Sequence, residues 1–203
     1  PNRQTRPSGK KAQGKIEGPP CQKGRQTPLR LVSRRELQQG ESRKIDVANI
    51  LTPEGVHCES SARSKKHALE LLSAVLADSS KDRSAEEVLD GLINRERLGC
   101  TGLDRSVAMP HTRIRGLGDS VGAFLRLDKA VDFDSADGEP VDLIFGLLVP
   151  EDCDEAKIRD VRELIETLGD NTLQQKLREA QQPAELYNLL TESLSIIHSM
   201  LRT

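Results

Sequence analysis

The chain has 203 residues, of which 35% are hydrophobic and only 2% aromatic, and its formal net charge is −2. That length suits one domain, or one domain and a tail, with a core built from Leu, Val, Ile and Ala. No apolar run nears the roughly 18 residues of a membrane-spanning helix, and no hydrophobic segment follows the basic amino terminus, so neither a membrane protein nor a secretory signal is expected.

Of the 30 basic and 32 acidic residues, 12 and 3 fall within residues 1–45, a net of +9; the remainder carries −11. The same stretch concentrates Pro, Gly, Gln and Ser and has too few apolar residues to offset the entropy of ordering. Residues 1–44 are therefore expected to form a disordered basic tail. Its cations are scattered, with no aromatic between them to stack on a base, which argues against nucleic acid as the partner. The four cysteines, Cys21, Cys58, Cys100 and Cys153, include no close pair, so neither a metal site nor a redox motif is expected. The chain reads as cytoplasmic and reduced.

From about Ile45 to residue 200 the pattern becomes that of a folded domain. "SKKHALELLSAVLA" places apolar residues at 68, 69, 72, 75 and 76, the stripe of a helix packed on one face. "SAEEVLDGLINRERL" opens with Ser84 and has Glu87 three residues on, a helix-capping signature, followed by Val88, Leu89, Leu92 and Ile93. "VAMPH" predicts a short strand ending at His111. "VGAFLRL" alternates, with Val121, Ala123, Leu125 and Leu127 on one side, while "VDLIFGLLVP" is almost continuously apolar, as a central strand buried on both faces would be. Three helices close the chain: one carrying Ile158, Val161, Leu164, Ile165 and Leu168, one from near Asn171, and one from Pro183. The acidic run "EDCDEAKIRD" suits the start of the first of these, near the positive end of its dipole. Helices before and after the strands predict an α/β class, with a mixed central sheet flanked by helices on both faces.

Four histidines are candidates for chemistry. His57 and His198 lie near segment edges, and His67 sits at a Lys-rich helix start, all without a convergent polar neighbourhood in sequence. His111 differs. Pro110 restricts the backbone before it, Thr101 and Gly102 offer a hydroxyl and a flexible backbone, and Arg95 and Arg113 supply positive charge. Neutral imidazole is a competent nucleophile near pH 7, and a phosphoryl group on it would need guanidinium forks and backbone N–H groups. On spacing alone, a plain histidine at a strand end fits equally well. Motifs for a nucleotide-binding loop, an α/β-hydrolase and a zinc protease are absent.

The stretch "RERLGCTGLDRSVAMPHTR" resembles the active-site signature of the fructose–mannitol type of enzyme IIA domains in the bacterial phosphotransferase system, and most of all its nitrogen-regulatory branch. "LTPEGV", "SKKHALELLSAVLA" and "FDSADGEPVDLIFGLLVPED" extend the likeness over about residues 46–192. The resemblance implies that His111 accepts a phosphoryl group from an HPr- or NPr-like carrier, that Arg95 assists, and that neither a cofactor nor a metal is needed. It further implies regulation of target proteins by contact, since no fused IIB or membrane IIC segment is present. The alternative is a degenerate, non-catalytic IIA-like binding module. Five positions depart from the family pattern: Cys100 for Ser, Asp104 and Ser106 for two glycines, Thr112 for a small residue, and Lys157 where a second active-site histidine normally opens a helix. Lys157 could serve there as a point charge. The lost glycines matter wherever the backbone needs a positive φ.

Overall fold

The two apolar runs become the middle of the sheet. A computed structural model describes residues 47–152 and 155–200, with side chains over 47–152 and 161–193. The expected tail, the side chain of Lys157 and the apolar positions Ile158, Leu194 and Ile197 lie outside these described residues. The elements in order are α1 (Val47–Ile50), β1 (Leu51–Ser60), α2 (Lys65–Ser80), α3 (Ala85–Leu98), β2 (Val107–Ala108), β3 (His111–Ile114), β4 (Val121–Val131), β5 (Val141–Pro150), α4 (Glu155–Leu168), α5 (Asn171–Glu179) and α6 (Pro183–Met200). β5 runs antiparallel to β4 and parallel to β2 and β3, which follow one another along its far side. β1 pairs in parallel with the other side of β4, so the sheet is mixed.

Both faces of the sheet are covered. Phe124, Leu143, Phe145 and Leu147 pack against Leu164 and Leu168 of α4, Leu173 and Leu177 of α5, and Leu186 and Leu190 of α6. Ala123, Leu125, Leu127, Ile144 and Leu148 pack against Leu69, Leu72 and Leu76 of α2 and Val88 and Leu92 of α3. Burial on both faces is what makes β5 read as an unbroken apolar run. The predicted cap of α3 forms in half: the Ser84 hydroxyl accepts from the Glu87 N–H at 3.1 Å, while the Glu87 carboxylate pairs with Arg83 at 3.5 Å.

Three features differ from expectation. The predicted "VAMPH" strand is broken at Met109–Pro110, so His111 begins β3 instead of ending a strand. Pro110 has no N–H for the ladder, and the Met109 N–H turns to the Thr101 carbonyl at 2.9 Å. β1 had no strand signature, because it is an edge strand carrying Pro53, with an irregular burial pattern and a register shift between Leu51 and Val56. Arg126, which the alternation of β4 left unassigned, is a charged residue only 8% exposed. Its Nη1 donates to the carbonyls of Leu177, Arg178 and Ala180, closing the carboxyl end of α5.

Candidate active site

α3 sets the site against the sheet. At Gly91 a β-carbon would lie 2.9 Å from the Thr112 Oγ1, so the missing side chain lets α3 press directly onto β3. Thr112 and Ile114 point into that contact and are buried. Side chains alternate along a strand, so His111 and Arg113 share the opposite side of β3. The last turn of α3 then brings Arg95 to His111.

The imidazole is held at both nitrogens. Its Nδ1 lies 3.0 Å from the Met109 carbonyl, which can only accept, so Nδ1 carries the hydrogen. The Arg95 Nε, which can only donate, lies 3.2 Å from Nε2, so Nε2 presents its lone pair. Both partners specify the same neutral tautomer. Burial pushes the His111 pKa below the ordinary 6.5, and the Arg95 and Arg113 charges push it the same way. The Met109 carbonyl and Glu96 oppose this without cancelling it. The outcome is a neutral, oriented imidazole whose Nε2 lone pair accepts from the Arg95 guanidinium. Arg95 is itself tied by Nη1 to the Gly99 carbonyl at 2.9 Å. Arg113 is exposed and makes no hydrogen bond or ion pair among the described residues.

The loop before β2 is built on Glu96. Its carboxylate accepts from the Thr101 N–H at 3.1 and 3.2 Å and from the Thr101 hydroxyl, and it pairs with the Lys65 ammonium at 2.7 Å. Lys65 also donates to the Phe133 carbonyl at 2.9 Å and to Asp134 at 3.0 Å. Burial works against the charge on Lys65, but Glu96 and Asp134 outweigh it and raise its pKa. The Thr101 hydroxyl, expected beside a phosphoryl group, is thus committed to Glu96. Gly102 is required by space: a β-carbon there would lie 2.3 Å from the Ser135 Oγ. Its N–H donates to the Cys100 Sγ at 3.1 Å. Of the two lost glycines, Ser106 has φ +64 and so occupies the left-handed region, whereas Asp104 does not; Arg105 beside it has φ +66. The turn is fastened from outside, by Arg105 N–H to Asp137 at 2.7 Å and by Arg178 to the Arg105 carbonyl at 3.0 Å.

The structure therefore brings Arg95, His111 and Arg113 together and sets Thr101 and Gly102 in the adjoining loop. Glu96 and Lys65 are the residues that sequence reasoning missed. A carboxylate five residues before a threonine is a faint signal for the first. Lys65 reaches Asp134 across 69 positions and leaves none. Among the other histidines, exposed His57 turns its ring to the Glu54 carbonyl at 3.1 Å, His67 accepts from the Arg63 N–H at 3.3 Å, and the His198 side chain lies outside the described residues.

A mixed sheet between two helical layers, with an arginine-held histidine starting an edge strand, defines the class. The chain belongs to the "Phosphoenolpyruvate-dependent sugar phosphotransferase system, EIIA 2" family, whose model matches residues 49–193. A nitrogen regulatory protein of Klebsiella oxytoca is 34% identical over 150 residues, covering 73% of this chain and 92% of that protein. Another from Pseudomonas aeruginosa is 35% identical over 148 residues, covering 73% and 96%. The crystal structure of nitrogen regulatory protein IIA-Ntr from Neisseria meningitidis superposes with a TM-score of 0.68 at 33% identity, over 71% of this chain and 99% of that one.

Proposed function

We propose that this chain is a cytoplasmic phosphocarrier and regulator in which the Nε2 of His111 accepts a phosphoryl group from an HPr- or NPr-type protein. The lone pair of Nε2 attacks phosphorus, the P–N bond of the donor phosphohistidine breaks, and its electron pair returns to the donor imidazole. Nδ1 keeps its hydrogen on the Met109 carbonyl, which offsets the positive character the ring gains. Arg95, released from Nε2, turns its fork to the phosphoryl oxygens, and Arg113 adds charge from the same side of β3. Lys157, standing where the family pattern has a second histidine, would add a further positive charge. The single observation that carries this reading is the tautomer fixed by Met109 and Arg95, which keeps the lone pair of the neutral ring on Nε2, where it accepts from the Arg95 N–H. The name "nitrogen regulatory protein" on the relatives supports the regulatory half. Residues 45–200 would form the working unit, with the basic tail outside it.

Incubation with labelled phosphoenolpyruvate, enzyme I and the carrier tests the reading. Label that is acid-labile and alkali-stable, and that vanishes in His111→Ala, is the expected result. A folded chain that takes none contradicts it.

One observation favours the second reading, a IIA-like module that signals by docking alone. The loop's polar groups are already engaged: Thr101 with Glu96, the Gly102 N–H with Cys100, and the Leu103 N–H with the Val107 carbonyl at 2.7 Å. Few amides remain for phosphoryl oxygens. If only Asp104→Gly/Ser106→Gly takes label, the docking module is the right description.

A further inference from the structure

Residues 101–109 form a hairpin whose two ends meet the candidate site. Gly102 and Ala108 face one another across an antiparallel bridge. The Leu103 N–H donates to the Val107 carbonyl at 2.7 Å, and the Met109 N–H to the Thr101 carbonyl at 2.9 Å. One end delivers the Met109 carbonyl to the His111 Nδ1. The other ends at Thr101, whose N–H is held by Glu96, the neighbour of Arg95. The two rungs tie the arms together, so a shift at the tip is passed on to the Met109 carbonyl.

The tip does not hold its shape alone. Arg105 and Ser106 both have left-handed backbones, with φ +66 and +64, and neither is glycine. Such a conformation persists where its surroundings over-determine it. Here one ion pair holds both tip carbonyls. Arg178, in the last turn of α5, sets Nε and Nη2 on the Asp142 carboxylate at 2.8 Å each. The same Nη2 donates to the Arg105 carbonyl at 3.0 Å, and the Asp142 N–H donates to the Ser106 carbonyl at 3.0 Å. The backbone of Arg178 is fixed in turn, since its carbonyl accepts from the buried Arg126 at 3.0 Å. Two further contacts complete the tip: the Arg105 N–H to Asp137 at 2.7 Å, and the Arg105 Nη1 to the Gly169 carbonyl at 2.9 Å.

We propose that Arg178 is a positioning residue for His111: through the Arg105 carbonyl and the hairpin it keeps the Met109 carbonyl on Nδ1, and so the lone pair on Nε2. The proposal rests on His111 being the phosphoryl acceptor. Among the described residues the Arg178 side chain bonds only Asp142 and Arg105, so its influence on the ring runs through the hairpin. Folding stability is not where that influence should show. The Arg178 and Asp142 side chains are 34% and 25% exposed, and ion pairs this accessible to water contribute modestly to folding. What the pair supplies is direction. A planar fork that already holds both oxygens of one carboxylate can meet the Arg105 carbonyl from one side only.

The test reads the ring before any phosphoryl group is on it. Side-chain 15N NMR gives the share of His111 protonated at Nε2, and its titration, in the wild-type chain, Arg178→Ala and Asp137→Ala. Transfer from the phosphorylated HPr- or NPr-type carrier is then timed on the same proteins. Asp137 is exposed, so its truncation leaves the chain folded. Both variants should raise the Nε2-protonated share severalfold, Arg178→Ala the more. The His111 pKa should fall further, because against burial the Met109 carbonyl is what holds it up. In Arg178→Ala kcat should drop by roughly tenfold to a hundredfold, as a misplacement on the order of 1 Å can cause, while the KM for the carrier barely changes. A plain structural ion pair would move only the unfolding midpoint. A wild-type tautomer share in folded Arg178→Ala therefore overturns the proposal, as does the same result in Asp137→Ala should Arg178→Ala not fold. A folded wild-type chain that takes no label overturns the acceptor reading, and the tautomer shares still decide separately whether Arg178 holds the ring.

Discussion

Arg95 and Glu96 are adjacent in the chain and lead into opposite kinds of surroundings. On the Arg95 side the groups are few and sparingly bonded: an imidazole whose lone pair accepts only from Arg95, a guanidinium holding a single carbonyl besides that ring, and Arg113 in solvent. On the Glu96 side every group is saturated, with the carboxylate shared by the Thr101 N–H, the Thr101 hydroxyl and Lys65, and Lys65 shared in turn by Phe133 and Asp134. The difference separates support from reaction. Buried polar groups that are fully bonded fix a geometry. Donors left under-bonded around a neutral nitrogen are what an incoming anion needs.

The comparison can be broken most severely on its saturated side. Glu96→Ala strips the acceptor from a half-buried ammonium and from two Thr101 donors, and it should cost about 1.5–3 kcal/mol of stability, the range for hydrogen bonds to charged groups. Denaturant unfolding measures this, and a loss below ~0.5 kcal/mol would show that the network is decorative. On the open side the effect should move from stability to rate. Arg95→Lys keeps the charge but loses the planar fork, so the transfer barrier should rise by about 1–3 kcal/mol while the unfolding midpoint barely shifts. Single-turnover labelling separates the two.

Smaller changes sharpen the boundary between the halves. Gly91→Ala gains helix propensity, yet its methyl meets Thr112 at 2.9 Å, and the balance should be a net loss of about 1 kcal/mol in thermal unfolding. Ser106→Gly relieves a left-handed φ of +64 and should stabilise by about 0.5–1 kcal/mol, because the relief exceeds the entropy glycine adds to the unfolded chain. The last effect is one of pH. The folded-state pKa of His111 lies below the ordinary 6.5, so the unfolded chain binds this proton first as pH falls. Its contribution is intact above about 6.5 and declines from there down through the folded value. Parallel melts of the wild-type chain and His111→Asn should diverge only in that acidic window.

What could be read in the sequence was what is periodic. α2, α3, β4, β5 and the three closing helices announce themselves because one or both of their faces are apolar at regular spacing. β1 does not, since an edge strand with Pro53 and two exposed stretches has no clean alternation. Arg126 was invisible for another reason: alternation says which face a residue is on, and only the tertiary fold says that α5 ends over that face. The split at Met109–Pro110 follows from a missing N–H that a strand pattern does not weigh. In the site, Arg95 and His111 were legible through the spacing of a known signature. The Thr101 hydroxyl was legible as a donor, but its acceptor was not, because Glu96 depends on Lys65 to be held there.

The reacting nitrogen of His111 decides the chemistry. With Nδ1–H bound to the Met109 carbonyl and the lone pair on Nε2, facing Arg95, the phosphoryl group should form its bond to Nε2. Two-dimensional 15N-edited NMR of the histidine rings, recorded before and after labelling, reads this directly. Before labelling, His111 should show the neutral tautomer protonated at Nδ1 at pH 7; afterwards, phosphorus coupling should appear on Nε2. A proton on Nε2 in the free protein, or phosphorus coupled to Nδ1 or to another histidine, would contradict it.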